Sequence, residues 1–506
     1  MITNHNLYAA FDEMVCRYTS KVALETPEGK SYTYSDLRCE SAKAANALVS
    51  LGCKKGDRVS VQVAKSPQAL FLYLGCLRAG LVFHPLNTGY KKHELDYFLS
   101  NAEPAVVVCD TADQPVMQEL ALKHGIPVVL TLNSDGSGSL SERVVCADSE
   151  FATVGCEPDD LASLLYSSGT TGVPKGIMLT HQNLSSNGRT LVEYWGFSDR
   201  DVLLHALPIF HVHGLFVAVS CVLFAGASMR WLSGFQIDQV LAELPHSTVM
   251  MGVPTYYTRL LADDRFGAGL TQNSRLFVSG SAPLLEETFH EFEARTGHRI
   301  LERYGMSETG MNTSNPLFGE RKAGTVGFPL PGINVRVVDD SGASLHSGQI
   351  GNIQVKGPNV FKGYWKLPEK TEQDFTRDGF FDTGDKGCFD SAGYLSIVGR
   401  AKDMVITGGL NVYPKEVELV IDELEGVVES AVIGVPHLDF GEAVVAVVVL
   451  RAGFAFDEGE LISQIKDQLS SFKVPKRIVA REELPRNTMG KVQKAVLRSE
   501  YEELFK

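Results

Sequence analysis

The sequence predicts an α/β protein in two parts, a large N-terminal one and a small C-terminal α+β one, on three observations. Helix-like and strand-like patterns alternate through the first third, as crossover units do. The run Ala105 to Asp110, AVVVCD, is short, continuous and apolar, like a strand of a parallel sheet. Beyond Arg400 the last hundred or so residues carry strands and helices of their own, enough for a small second domain. A chain of 506 residues also exceeds what one ordinary core supports.

Taken in order, Ser35 to Leu51 has helical spacing at Leu37, Ala44, Ala45 and Leu48 and stops at Gly52. Asp57 to Val63 alternates as a strand with Val59, Val61 and Val63 on one face. Pro67 to Ala79 is expected as a buried helix, Leu81 to Leu86 as a strand and Glu94 to Asn101 as a helix. Small polar residues around Gly136 and Gly138 predict a surface loop over Asn133 to Ser139. From Ala323 to about Gly399, glycine, proline and β-branched residues predict short strands and turns. The tail is expected to start a helix after Pro414 and to form strands at Val428–Val435 and Ala443–Leu450. A further helix would carry Leu461, Ile465 and Leu469 on one face.

Composition narrows the function. A formal net charge of −14 argues against a general nucleic-acid binder. The nine cysteines stand singly with no C-x-x-C pair, which fits neither a zinc site nor a disulfide framework and suits a reducing cytosol. Met1 to Met14 lacks the pattern of a secretion or transit signal, so a cytoplasmic protein is expected. The apolar stretch Gly214 to Met229 is shorter than the ~20 residues of a membrane span, so a buried core segment and no membrane partner are expected.

The chemistry starts at Tyr166-Ser167-Ser168-Gly169-Thr170-Thr171-Gly172-Val173-Pro174-Lys175-Gly176, which follows the apolar run Leu161–Leu165. Small residues let a backbone approach polyphosphate, hydroxyls donate to it, and Lys175 adds a charge. The spacing is not that of the G-x-x-x-x-G-K-[ST] loop. This segment resembles the phosphate-binding signature of the adenylate-forming superfamily, with Ser167 where threonine is usual.

That resemblance runs over nearly the whole chain and assigns roles residue by residue. Tyr304-Gly305-Met306-Ser307-Glu308 resembles the Y-G-x-T-E segment. Tyr304 would stack on adenine, Ser307 would contact the α-phosphate and Glu308 would hold Mg²⁺, a hard cation that favours carboxylate oxygen. Gly280, Ser281 and Ala282 belong to a loop that resembles the lining of the adenine and acyl pocket. Asp385 and Arg400 would meet the ribose, and Lys402 falls at the hinge position. Pro485 to Lys491 resembles the segment carrying the adenylation lysine, here Lys491. The fold implied is a large multi-subdomain adenylate-forming domain, residues 1–399, and a small mobile domain, residues 400–506.

The acyl substrate is read from Arg303, where relatives that take acetate or fatty acids commonly have a small residue. A guanidinium there could grip a second carboxylate; its bland alternative is a salt bridge with Glu302 or another acid. The stretch Glu302 to Pro316, with Gly252 to Arg259 and Leu276 to Pro283, closely resembles malonyl-CoA synthetases. The resemblance places Arg303, Arg259 and Ser281 on the unreactive carboxylate, and His211 and Met306 beside the acyl pocket. It places Thr407, Gly408 and Gly409 on coenzyme A, and Lys473, in a basic cluster of this acidic chain, is expected to meet the phosphates of coenzyme A. His205, His211 and His213 could chelate a metal, yet no carboxylate or cysteine lies close by in sequence, so the acyl-pocket reading of His211 is preferred. The expected reaction joins malonate, ATP and coenzyme A through a malonyl-adenylate. The rivals are a synthetase for methylmalonate, acetate or another small acid, a carrier-protein adenylation enzyme and a catalytically dead nucleotide-binding module. A serine hydrolase is disfavoured because no G-x-S-x-G occurs. Lys491 is also a candidate target for a lysine acetyltransferase, since acetylation removes its charge.

Overall fold

The computed structural model describes residues 4–167, 174–407, 410–487 and 490–505, without the side chain of residue 411. Contacts divide the chain into two compact units, Met1–Asn334 with Lys356–Phe375, and Val335–Val355 with Thr376–Lys506. Residues 376–399 thus group by contact with those beyond 400.

The first unit holds two large sheets. One has nine strands, in the order Phe328–Pro329, Gly310–Ser314, Leu301–Met306, Leu276–Ser279, Val249–Gly252, Val202–His205, Ser228–Trp231, Val22–Glu25 and Ser31–Thr33. The other has seven, in the order Gly363–Tyr364, Gly176–Thr180, Leu161–Tyr166, Val82–Pro85, Arg58–Gln62, Val106–Cys109 and Val128–Thr131. Most neighbours in both are parallel, and helices such as Tyr34–Ser50 and Pro67–Arg78 link successive strands.

Arg58–Gln62 forms the expected strand, with Val59 and Val61 buried on one face. Ser60 and Gln62, on the other face, are 0% and 3% exposed. Partners inside hold them: the Ser60 hydroxyl lies 2.7 Å from His84 Nδ1, and Gln62 Nε2 donates to the Asn87 and Tyr90 carbonyls. The segment expected as buried core around Gly214 is buried, and it begins as a π-helix, His213–Val219, which continues as the α-helix Ser220–Ala225. Among the described residues no helix is long and apolar enough to cross a membrane.

The second unit holds a four-stranded sheet, ordered Asn334–Val338, Gly351–Lys356, Phe381–Phe389 and Leu395–Arg400. It also holds a five-stranded one built on the long hairpin Val427–His437 and Gly441–Leu450, with Arg477–Arg481 added in parallel. Helices Pro414–Asp422 and Glu458–Lys466 put Val417, Ile421, Leu461 and Ile465 into a core on one face of that sheet. Helix Lys494–Glu500 packs Leu497 on the other.

Candidate active site

In the first unit the glycine- and hydroxyl-rich loop is pinched at its base. Ser167 N donates to the Lys175 carbonyl and Lys175 N donates to Ser167 Oγ, both at 3.0 Å. Ser168, Gly169, Thr170, Thr171 and Gly172 lie outside the described residues. Lys175 Nζ sits 4.6 Å from the centre of the Tyr364 ring, and the Tyr364 hydroxyl lies 3.4 Å from Glu308 Oε1. Burial, and then Glu308, raise the pKa of that phenol. The loop lysine and the carboxylate expected to hold Mg²⁺ therefore meet on one tyrosine. Sequence reasoning missed Tyr364, which no motif marks.

Glu308 is held by a hairpin. Strands Leu301–Met306 and Gly310–Ser314 pair antiparallel, with Met306 opposite Gly310, leaving Ser307, Glu308 and Thr309 to turn. Phe361 N donates to the Glu308 carbonyl at 2.7 Å, and Asn359 Nδ2 donates to that of Thr309 at 2.7 Å. Tyr304, Met306 and Ser307 are half-buried on this hairpin, while Glu308 is buried. A hydroxyl and a carboxylate side by side in one turn supply the hard oxygen donors that Mg²⁺ prefers.

Arg303 precedes the tyrosine and points inward. It is 4% exposed, and its Nε and Nη2 have no hydrogen-bond partner among the described residues. Burial pulls its pKa down to about 9. No ion pair described among these residues joins it to Glu302. A Cβ on Gly280 would stand 2.3 Å from the guanidinium carbon, so glycine is what leaves room for this rotamer. The next residue, Ser281, holds φ at +73°, a left-handed conformation that a non-glycine residue adopts at a cost. Ser281 and Ala282 are half-buried.

His213 shares this neighbourhood. It is 1% exposed, both ring nitrogens lack partners among the described residues, and its pKa is held well down by burial first and by the Arg303 charge second. His211 is half-buried, and its Nδ1 lies 3.3 Å from His213 N. His205 is bound on both nitrogens, by Lys65 Nζ at 2.8 Å and by the Gly214 carbonyl at 2.9 Å. The Lys65 nitrogen beside His205 and the Arg303 guanidinium beside His213 make this a poor setting for a metal ion. Arg259 stands exposed on helix Pro254–Leu261, and no described contact brings it to Arg303. The same helix instead contributes Tyr257, buried, whose hydroxyl donates to the Val278 carbonyl at 2.7 Å.

In the second unit Asp385 and Arg400 are opposed across a strand pair, and Arg400 Nε meets Asp385 Oδ1 at 2.8 Å. Asp385 is 4% exposed, and Arg400 Nη1 also donates to the Thr383 carbonyl. Lys402 lies in the single turn Ala401–Asp403, where burial lowers its pKa. Thr407 is buried; Gly408 and Gly409 lie outside the described residues. Lys473, assigned to coenzyme A, is ion-paired with Glu416 at 2.7 Å. Lys491 is exposed, and its backbone N donates to Asn487 Oδ1 at 3.0 Å.

Two family models match the chain: AMP-binding enzyme over residues 11–365, and AMP-binding enzyme C-terminal domain over residues 416–491. A malonate–CoA ligase of Arabidopsis thaliana is 35% identical over 98% of this chain and 88% of its own. The mitochondrial malonate–CoA ligase ACSF3 of Homo sapiens is 34% identical over 95% of this chain and 90% of its own. The crystal structure of ATP-bound MatB from Rhodopseudomonas palustris superposes with a TM-score of 0.98 at 53% identity, covering all of both chains.

Proposed function

The chain belongs to the AMP-binding enzyme family, and from that premise we propose that it is an AMP-forming malonate–CoA ligase. One carboxylate oxygen of malonate attacks the α-phosphorus of ATP and the bond to diphosphate breaks, leaving malonyl-adenylate. The thiol sulfur of coenzyme A then attacks the acyl carbon, and AMP departs with the electron pair of the broken C–O bond.

The observation that carries the choice of acid is the buried guanidinium of Arg303, with two nitrogens unpartnered. A second carboxylate would complete it with charge-assisted hydrogen bonds. A monocarboxylate would leave it buried and uncompensated, and such a loss costs about 3–5 kcal/mol. Malonate is therefore preferred over acetate, with methylmalonate admitted as far as the pocket beside His211 and Met306 has room. The relatives named as malonate–CoA ligases support the same choice.

Lys491 supplies positive charge to the attacking carboxylate and the α-phosphate, and Lys175 with the hydroxyls of its loop supplies it to the phosphate chain. Glu308 beside Ser307 would hold Mg²⁺, which when bound would supply charge that offsets that of the phosphates. Tyr304 stacks on adenine, with Gly280 and Ala282 beside it, and Asp385 and Arg400 hold the ribose. After adenylation the residues beyond Lys402 turn about it, withdraw Lys491 and bring Thr407, Gly408 and Gly409 to the pantetheine arm, with Lys473 on coenzyme A. Acetylation of the exposed Lys491 would stop the first step alone. Nine unpaired cysteines favour work in a reducing compartment such as the cytoplasm.

The deciding experiment assays malonate, methylmalonate, acetate and succinate side by side with ATP and coenzyme A, reading AMP and diphosphate release. Malonate gives the highest kcat/KM. Acetate preferred over malonate would remove Arg303 from its role and overturn the reading.

A further inference from the structure

Three ion pairs in the second unit converge on the segment that carries Lys491. Before it, Arg486 pairs with Glu429 on the strand Val427–His437 and donates through Nη1 to the Gly490 carbonyl at 2.6 Å. After it, Lys494 Nζ meets Glu418 Oε1 at 2.5 Å. Glu418 is 7% exposed and also accepts from Val432 N at 2.8 Å, so the Lys494 ammonium offsets a buried charge. Lys494 opens the helix Lys494–Glu500. One turn on, on the same helix face, Arg498 Nη2 meets Asp403 Oδ1 at 2.7 Å. Asp403 directly follows Lys402, so a single short helix ties the segment that bears the adenylation lysine to the residue beside the pivot.

We propose that Arg498 is a positioning residue for adenylation: through Asp403 it fixes the Lys491 segment to the pivot turn, so that movement about Lys402 sets where Lys491 arrives. This rests on the proposed roles of Lys402 and Lys491. The pair is half-exposed, so its stabilising worth is small. Its value is geometric. Without it the helix keeps its Lys494 anchor but loses its link to the Ala401–Asp403 turn, and a misplacement of about 1 Å at a reacting group can cost up to ~100-fold in rate.

Thioester formation from supplied malonyl-adenylate does not use Lys491, so the two half-reactions separate this role from a general loss of fold. Full-length Arg498→Ala and Asp403→Ala are compared with wild type in adenylate formation and in thioester formation from malonyl-adenylate. Adenylation falls about 10- to 100-fold in kcat with little change in KM for malonate, while thioester formation holds. The double variant Asp403→Arg with Arg498→Asp, which reverses the pair, recovers most of the loss. Equal loss of both half-reactions in the singles, or no recovery in the double, would reduce the pair to a structural contact and overturn the proposal. So would an unchanged adenylation rate. Lys491→Ala, measured alongside, tests the underlying reading separately, because an active Lys491→Ala would sink the role of the lysine whatever Arg498 does.

Discussion

At the scale of single residues, the acid specificity is carried by what surrounds Arg303 as much as by Arg303. Gly280 has no side chain, and the guanidinium fills the space where a Cβ would stand. Gly280→Ala should push Nε and Nη1 aside, each 2.5 Å from that Cβ. The expected outcome is a fall of about 10- to 100-fold in kcat/KM for malonate, with a narrower malonate-to-acetate ratio, read from initial rates. Most of the chemistry at this scale was legible in the sequence, because nucleotide sites reuse ordered runs such as Tyr304 to Glu308. Tyr364 was not legible, and His213 was named only as a possible metal ligand. A lone tyrosine between a lysine and a glutamate acts through a contact that only folding creates, between residues 189 positions apart for Lys175 and 56 for Glu308. Arg259 shows the reverse: a motif match whose side chain the structure leaves in the open.

At the scale of elements, helix Pro414–Asp422 ends on a carboxylate that is expensive to ionise. Burial pushes the Asp422 pKa up to about 6, against Lys415 and the Ser430 hydroxyl, which favour the charge, and with Glu418 and Glu429, which oppose it. The unfolded value is about 3.9, so between these two values the folded state holds the extra proton. Stability therefore falls as pH rises from about 4 to about 6, by as much as roughly 3 kcal/mol once both states are ionised. Asp422→Asn, which keeps an acceptor for Ser430, should unfold at a higher temperature than wild type at pH 7 and at about the same temperature near pH 4. Thermal scans at the two pH values check it. Helices and strands with strong periodicity were legible in the sequence, the strand expected at Val428–Val435 emerging as Val427–His437. The burial of both faces of Arg58–Gln62 was not, because Ser60 and Gln62 look like solvent residues until their partners are known. The π-turn at His213–Val219 was equally hidden, since an apolar run does not distinguish one helical repeat from another.

At the scale of the whole molecule, the two chemical steps make different demands on the second unit, and one substitution tells them apart. Lys491→Ala should abolish adenylate formation while still making thioester from supplied malonyl-adenylate, followed by release of AMP. Equal loss of both steps would sink the alternation between them. The division of the chain into a large and a small part was legible from the change of character beyond Arg400. The grouping of residues 335–355 and 376–399 with the tail was not, because it arises from packing between distant segments.

The register of the nine-stranded sheet sets a timetable for the newborn chain. Leu24 pairs with Met229 and Glu25 with Arg230, so the second-to-last strand at one edge waits for a partner made about 200 residues later. At about 5–20 residues per second the ribosome needs roughly 10–40 s to supply it. Through that interval the helices Leu7–Arg17 and Tyr34–Ser50 lack part of their cover, since Phe11 packs on the Phe224 ring and Tyr34 seats its hydroxyl on the Val222 and Ala227 carbonyls. These early elements are therefore among the last to finish folding.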